Sequence, residues 1–313
     1  MKANVRPSKP RTSGLSWYLA AAVLWAGGLV AYPWIFTGFL VKTAYVWADI
    51  GHVAYVTCLL ATACFFAGLG GSITGLPQGI LLGSRNTYSL SRLQVTLWTW
   101  VILSALLAVV AARSWGFGGA GISTALMVDI PPAVLSVMGI SLSSGVIAPS
   151  ILAVRSQSGD DPGATTVSRN APGRATVQGS IVFRPSRQHA QVKDLFRGDD
   201  EASAGQIDIG KVQNLMITVL LVAYYAVVAF NLFSNAHDFT ACAASKICTT
   251  LPDFGSQAVI LLLISHGGYL AYKAVPKPDP NTLLTASPGP APLSARQGAA
   301  PVAGGPPPSP GIR

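Results

Sequence analysis

Charged residues are scarce in this chain. Asp, Glu, Lys and Arg together make up 11% of its 313 residues, against about 25% in an average soluble domain. Half of the residues are apolar, and the mean hydropathy is +0.47. The shortage of charge argues against a soluble globular domain and indicates a membrane protein.

Recognisable catalytic and ligand-binding motifs are also missing. The sequence has no phosphate-binding glycine loop and no HExxH, GxSxG or CxxC pattern. Its four histidines are dispersed along the chain, at positions 52, 189, 237 and 266. We therefore expect a protein that is not an enzyme and that holds no cofactor and no metal.

Six apolar stretches reach the length of about 20 residues that a membrane-spanning helix needs. The first is not expected to be a removable signal peptide, because it is long, carries Trp17, Trp25 and Trp34, and lacks a small-residue cleavage site. The pattern predicts an all-α, polytopic membrane protein with about six transmembrane helices, at residues 16–36, 52–74, 93–112, 131–154, 214–233 and 256–273.

The positive charges predict the orientation of these helices. With a cytoplasmic N-terminus, only Lys42, Arg113 and Lys246 lie outside, and the other eighteen of the twenty-one Lys and Arg residues lie inside. Both termini are therefore expected in the cytoplasm. The net charge of +9 favours anionic lipid head groups over nucleic acid, because the basic residues are scattered and lack interleaved aromatic residues.

The few cysteines fit this topology. Cys242 and Cys248 lie in the predicted outer loop between the fifth and sixth helices, where an oxidising compartment allows a disulfide. The rival interpretation, a metal site, has no further ligand nearby except His237. Cys58 and Cys64 lie within the second helix and are expected to pack as small apolar residues.

Two long segments, 89–155 and 208–275, share one pattern. Each has a capped helix start, a long apolar run, a turn with proline and a second apolar run with Ile-Ser and small residues. This predicts a duplicated helical hairpin. Because both copies begin inside, we expect a pseudo-twofold axis along the membrane normal. The first two helices are either an addition or a third copy that has drifted.

The start of each copy carries three matched positions. Ser89 and Asp208 are typical N-cap residues. Three residues later, Arg92 and Lys211 stand at the unfavourable end of the helix dipole, so we assign both to contacts with lipid phosphate. Two residues further, Gln94 and Gln213 either form hydrogen bonds across the repeat interface or extend towards the membrane surface.

The closing helices carry small and polar residues. Small residues at helical spacing favour close packing, and the alternative is a polar lining of a narrow pathway. His266 is the one ionisable side chain predicted well inside the bilayer, which makes it a functional candidate, although a neutral histidine bonded to a neighbouring helix is the favoured interpretation. The candidates for a pathway or for packing are Ser136, Ser143, Ser150, Ser265, His266 and Gly267.

The segment 156–207 differs in composition from the helices. It is rich in Ser, Gly, Pro and charge, which predicts a flexible cytoplasmic loop. Val192, Leu195 and Phe196 suggest a short amphipathic piece at the membrane surface. Asp199, Asp200 and Glu201 are expected in a solvated acidic cluster, and cation binding is the alternative. The sequence predicts six regions: a basic N-terminus at 1–15, a first hairpin at 16–74, repeat hairpin 1 at 75–155, this loop at 156–207, repeat hairpin 2 at 208–275 and a disordered Pro/Ala/Gly-rich tail at 276–313.

Three sequence elements carry a resemblance to a known group of proteins. SLSRLQ-x3-WTWVILSA, DLFRGDD followed by IDIGKVQ, and ISHGGYLAYKAVPKP resemble segments of bacterial multi-pass inner-membrane proteins to which no activity is assigned. The resemblance runs over roughly residues 80–278. It implies a bacterial inner-membrane location and no biochemical activity.

Two classes of function remain open from the sequence. The first is a membrane scaffold, sensor or accessory subunit, in which the helices anchor the loop or the tail for a protein partner. The second is an oligomeric ion channel or small-solute pore lined by the Ser/Gly rows of the fourth and sixth helices, which requires several copies of the chain. The lack of intramembrane charge and of catalytic motifs favours the first.

Overall fold

The structure is a computed structural model, and it describes residues 13–26, 45–114, 126–157, 165–167, 175–178, 180–234 and 250–275. It is mostly helical, at 75%, which is consistent with the predicted all-α class. The described residues contain six α-helices: α1 Ser13–Ala26, α2 Tyr45–Thr74, α3 Leu90–Ser114, α4 Pro132–Gln157, α5 Ile209–Ser234 and α6 Ser256–Ala274.

Four of these helices are long and apolar enough to cross a membrane. Their spanning segments are Tyr55–Thr74, Leu90–Ala111, Pro132–Gln157 and Ile209–Phe233. The described part of α1 is shorter, and α6 has only 19 residues, several of them polar. The structure thus agrees with a membrane protein, while six full spans remain a prediction.

The helices pack into one bundle. α1 lies antiparallel on α2, where the hydroxyls of Tyr18 and Ser72 are 3.0 Å apart. α3 packs against α2, α4 and α5, and α6 packs against α4 and α5. The largest core cluster joins these helices, and in it the ring of Trp98 meets that of Phe254 edge-on at 5.3 Å between centroids.

The two predicted hairpins lie side by side. α3 is the neighbour of α5, and α4 is the neighbour of α6. A twofold axis along the membrane normal would place α3 and α5 at opposite corners of the four helices. Their packing as neighbours, and that of α4 against α6, therefore differs from the predicted pseudo-twofold arrangement.

Part of the segment 156–207, for which the sequence predicts a flexible loop, has regular structure. The strands β1 Thr165–Val167, β2 Thr176–Gln178 and β3 Ile181–Phe183 form an antiparallel sheet in that order. Short 3-10 turns follow at Arg187–His189, Val192–Leu195 and Glu201–Ser203. We call residues 175–178 and 180–208 the cap. Its own small core consists of Ala175, Val177, Val182 and Ala204.

The cap sits on one end of the helix bundle, which we call the loop end. Leu195 is buried in a cluster with one residue from each of α3, α4, α5 and α6, namely Leu90, Ala148, Leu215 and Tyr269. The cap is also joined to the turn before α3, since Arg184 N donates to Arg85 O at 3.0 Å. A Cβ at Gly198 would collide with Ser203, so glycine is needed where the cap chain folds back.

Candidate functional site

The carboxylate of Asp199 is the centre of a buried ion cluster at the loop end. Its Oδ1 lies 2.7 Å from Nη2 of Arg85 and 2.9 Å from Nζ of Lys211. Its Oδ2 lies 3.1 Å from Nζ of Lys273. We call Arg85, Asp199, Lys211 and Lys273 the Asp199 cluster. One acidic side chain of the cap is thereby joined to the turn before α3, to α5 and to α6.

Helix ends position two of the cations. Lys211 lies in the first turn of α5, whose N-cap is Asp208, because Lys211 N donates to Asp208 Oδ1 at 3.1 Å. Its ammonium also donates to Arg197 O at 2.6 Å. Lys273 lies in the last turn of α6, the favourable end of the helix dipole for a cation, and donates to the hydroxyl of Tyr269 at 2.8 Å.

A second ion pair connects α4 to the same place. The guanidinium of Arg155, in the last turn of α4, contacts the Asp200 carboxylate through Nη2 and donates to Lys273 O at 3.1 Å through Nη1. Both side chains are buried. The adjacent residues Asp199 and Asp200 thus fix the cap to the turn before α3 and to α4, α5 and α6.

A third ion pair organises the cap internally. Arg184 Nη2 lies 2.6 Å from Asp194 Oδ1, and both side chains are buried. The other oxygen of Asp194 accepts the amide of Gln191 at 3.0 Å and so caps the turn Val192–Leu195. This turn buries Leu195 against the helices, so the Arg184–Asp194 ion pair helps to position the cap on the bundle.

Electrostatics keep Asp199 ionised. Burial on its own raises the pKa of this carboxyl, but Arg85, Lys211 and Lys273 together lower it further, so the net pKa lies well below the ordinary 3.8. A buried carboxylate that is paired with three cations is a weak proton acceptor. Its chemistry is therefore that of a lock between segments. Removal of one partner from such a buried group leaves an uncompensated charge and is costly.

A neutral polar column runs deeper into the bundle. Gln94 Nε2 of α3 donates to Thr218 Oγ1 of α5 at 2.8 Å, and Thr218 donates to Asn214 O at 2.9 Å. Ser265 of α6 donates to Asn214 Oδ1 at 2.9 Å. His266, next along α6, is 2% exposed, and neither ring nitrogen has a hydrogen-bond partner among the described residues, so the expected bond to a neighbouring helix is not seen. We call Gln94, Thr218, Asn214 and Ser265 the polar column, and His266 follows Ser265 along α6.

The structure does not bring the predicted pathway residues together. Ser136, Ser143 and Ser150 lie on the exposed face of α4, and each hydroxyl donates to the carbonyl four residues earlier. Gly267 is exposed on α6. Ser265 and His266 are buried instead. The Ser/Gly rows thus share no lining within one chain.

The matched positions at the two helix starts have separate outcomes. Arg92 is exposed, so contact with lipid phosphate remains a prediction for it. Lys211 is 4% exposed and its charge is held by Asp199, so we reassign it from lipid phosphate to the Asp199 cluster. Gln94 makes the predicted hydrogen bond between α3 and α5, whereas Gln213 is exposed.

The cysteines and the possible metal ligands of the chain lie partly outside the described residues. Cys242 and Cys248 lie outside the described residues, and the described cysteines Cys58 and Cys64 are free thiols. In the part of the chain that the structure describes, no three His, Cys, Asp or Glu side chains are grouped to hold a metal ion.

Sequence reasoning missed the Asp199 cluster. It placed Asp199 and Asp200 in a solvated loop, but both are buried and paired. One signal was present in the sequence. Basic residues stand at the inner ends of four predicted hairpin segments, at Arg85, Arg155, Lys211 and Lys273, and the segment 156–207 between the hairpins contains several acids on the same predicted side.

Comparisons with family models, with curated proteins and with solved structures find no match to this chain. The account of its function therefore depends on its own residues.

Proposed function

We propose that this chain is a non-enzymatic membrane scaffold, sensor or accessory subunit that presents its cap to a protein partner. The observation that carries the proposal is the Asp199 cluster, in which one cap carboxylate pairs with cations from three places on the bundle. Such a lock gives a loop the fixed shape that a docking surface needs. The sensor role would use release of the same lock.

We further propose that the loop end faces the cytoplasm of a bacterial inner membrane, with both termini on that side. Nine described basic residues lie in the cap or at the loop end of the helices: Arg85, Arg92, Arg155, Arg184, Arg187, Lys193, Arg197, Lys211 and Lys273. The positive-inside rule counts Lys and Arg and does not depend on net charge, so the ion pairs do not weaken it. The duplicated hairpin belongs to the same proposal, and it is supported by the matched helix starts at Ser89 and Asp208.

The scaffold proposal is tested by photo-crosslinking in native membranes. A photoreactive residue at Gln188 or Lys193, both exposed on the cap, is expected to give a discrete crosslinked protein. The matched control position is Leu142, which is 60% exposed on α4 and is expected to face lipid. Loss of the cap crosslink in Asp199→Asn supports a locked docking surface. No discrete product from either cap position contradicts the proposal.

A second candidate function, conduction of protons or small ions, is favoured by the polar column. It links buried polar groups of α3, α5 and α6 where an apolar core would otherwise pack. An oligomeric pore lined by the Ser/Gly rows of several copies stays a separate prediction, since Ser136, Ser143 and Ser150 lie on the exposed face of α4. Flux into liposomes that is abolished by His266→Phe, with Ser143→Phe as the exposed control, supports conduction through the column. Absence of flux through the wild-type protein excludes conduction and leaves the scaffold function.

A further inference from the structure

Two adjoining cavities form a groove at the loop end, between the last turns of α2, the start of α3 and α4. Their volumes are about 250 and 290 Å³. Both are lined by Gly83, Ser84 and Arg92. Gly83 and Ser84 belong to the turn before α3, and Arg92 belongs to its first turn. We call this joint space the Arg92 groove.

The groove carries positive charge that no described acid neutralises. Arg92 and Arg187 are both exposed and line the same cavity. Among the described residues, no carboxylate lies within ion-pair distance of either guanidinium. Three of the cap acids, Asp194, Asp199 and Asp200, are instead paired with other cations, and Asp208 caps α5. The partial positive charge at the N-terminus of α3 acts in the same direction.

Part of the groove wall is apolar and belongs to helices that can span a membrane. Leu69 and Ile73 of α2 line one cavity, and the buried side chains of Ala148 and Leu152 of α4 line the other. Ile73 is 69% exposed, so the apolar part of the wall reaches the outer surface of α2. The groove therefore has charged residues at its opening and apolar residues below them, which matches the charged head group and the apolar chains of a phospholipid.

We propose that the Arg92 groove binds one anionic phospholipid. Its phosphate accepts hydrogen bonds from the guanidiniums of Arg92 and Arg187, which suit phosphate geometry. The exposed hydroxyl of Ser84 lies at the same mouth and donates to a second oxygen or to the head group. An acyl chain lies along Leu69 and Ile73. Basic pockets between helices on the cytoplasmic side are a known form of lipid head-group site.

The apolar wall distinguishes this ligand from free phosphate. A soluble anion would use the two arginines and leave Ile73 of α2 exposed to water, whereas an acyl chain covers it. The site does not depend on whether the cap binds a protein partner, so either proposal can fail without the other.

The test is retention of lipid by the full chain in mild detergent, measured by native mass spectrometry. Phosphatidylglycerol and phosphatidylcholine are added at equal concentration. We expect selective retention of phosphatidylglycerol, and a loss of affinity of about fivefold for each arginine replaced in Arg92→Gln and Arg187→Gln, from about 1 kcal/mol per basic residue near a membrane surface. Lys193→Gln removes an exposed cation outside the groove and is expected to change nothing.

Three results would overturn the proposal. Equal retention of the two lipids by the wild-type protein shows that the groove does not select an anionic head group. This result does not depend on the folding of any variant. An equal loss in Lys193→Gln and in the two arginine variants shows an effect of net charge only. Displacement of phosphatidylglycerol by millimolar inorganic phosphate shows a site for a free anion.

Discussion

The starts of α3 and α5 have the same sequence pattern and different surroundings. In α3 the hydroxyl of Ser89 accepts the amide of Arg92 at 3.5 Å, and in α5 the carboxylate of Asp208 accepts the amide of Lys211 at 3.1 Å. The basic residue that follows is exposed in α3, as Arg92, and buried in α5, as Lys211. Only the second has a carboxylate partner among the described residues.

The difference shows that a local pattern determines a helix start but not the partner of its charge. Asp199 lies twelve residues before Lys211 along the chain, and the cap folds back over α5 to place it there. The start of α3 receives no acid from the cap and keeps its charge at the open groove. The loop end thus contains the neutralised Asp199 cluster and the Arg92 groove, whose charge no described acid neutralises.

The largest expected effect comes from removal of the shared acid. Asp199→Ala leaves Arg85, Lys211 and Lys273 buried without their common counter-charge, which is expected to lower the free energy of unfolding by about 3 to 5 kcal/mol. Unfolding in mixed detergent micelles, followed by circular dichroism, measures it. The exposed Asp129 is the control, and Asp129→Ala is expected to cost less than about 0.5 kcal/mol. Equal effects of the two variants would show that the cluster is not structural.

The matched basic residues give the sharpest form of the comparison. Lys211→Met removes a buried cation while Asp199 keeps two others, so we expect a loss of about 2 kcal/mol. Arg92→Met, at the same place in α3, is expected to change stability by less than about 0.5 kcal/mol. The same unfolding measurement applies to both. Similar losses in the two variants would contradict the different surroundings described above.

Acid is expected to weaken the lock at α5. The three cations hold the pKa of Asp199 well below 3.8, although burial raises it. The unfolded chain therefore binds a proton at a higher pH than the folded chain does. The stability that Asp199 contributes is fully present above about pH 4 and is lost as the pH falls below that value towards the folded pKa. Unfolding free energies of the wild type and of Asp199→Asn are measured between pH 7 and pH 3, and the difference between them is expected to narrow below about pH 4. A constant difference between the two would contradict this linkage.

The smallest expected effect concerns the hydrogen bond between α3 and α5. Thr218→Val removes the acceptor of the buried Gln94 amide at similar volume, and we expect a loss of about 1 kcal/mol. Thr99 stands at the corresponding place in α3, is only partly buried, and serves as the control. Thr99→Val is expected to have less than half that effect. A reversed order would show that Gln94 does not join the two helices.

The sequence predicted the helical elements better than their tertiary partners. The helix starts at residues 90 and 209 and their caps followed from Ser89 and Asp208, because a cap acts on its own first turn. The Gln94 hydrogen bond was predicted as one of two alternatives. The ion cluster and the side-by-side packing of the hairpins were not predicted, because ion pairs between Arg85 and Asp199, 114 residues apart, have no periodic signal in the chain.

The composition of 156–207 was also a poor guide to its structure. Its Ser, Gly and charge content predicted flexibility, and the described part of it is nevertheless held by a small core and by buried ion pairs. The apolar surface that seats it comes from Leu90, Ala148, Leu215 and Tyr269 of the helices. A segment that borrows its core from elsewhere cannot be identified from its own composition.

Hydrogen exchange of the cap in wild type and Asp199→Asn tests the central claim most directly. The amides of Val182, Gly198 and Asp208 form backbone hydrogen bonds within the cap and are expected to be protected in the wild type. In Asp199→Asn, we expect the amides of residues 180–208 to lose protection while those of α3, α4 and α5 keep their protection. Unchanged protection of the cap in that variant would contradict the claim that the Asp199 cluster locks the cap to the helices.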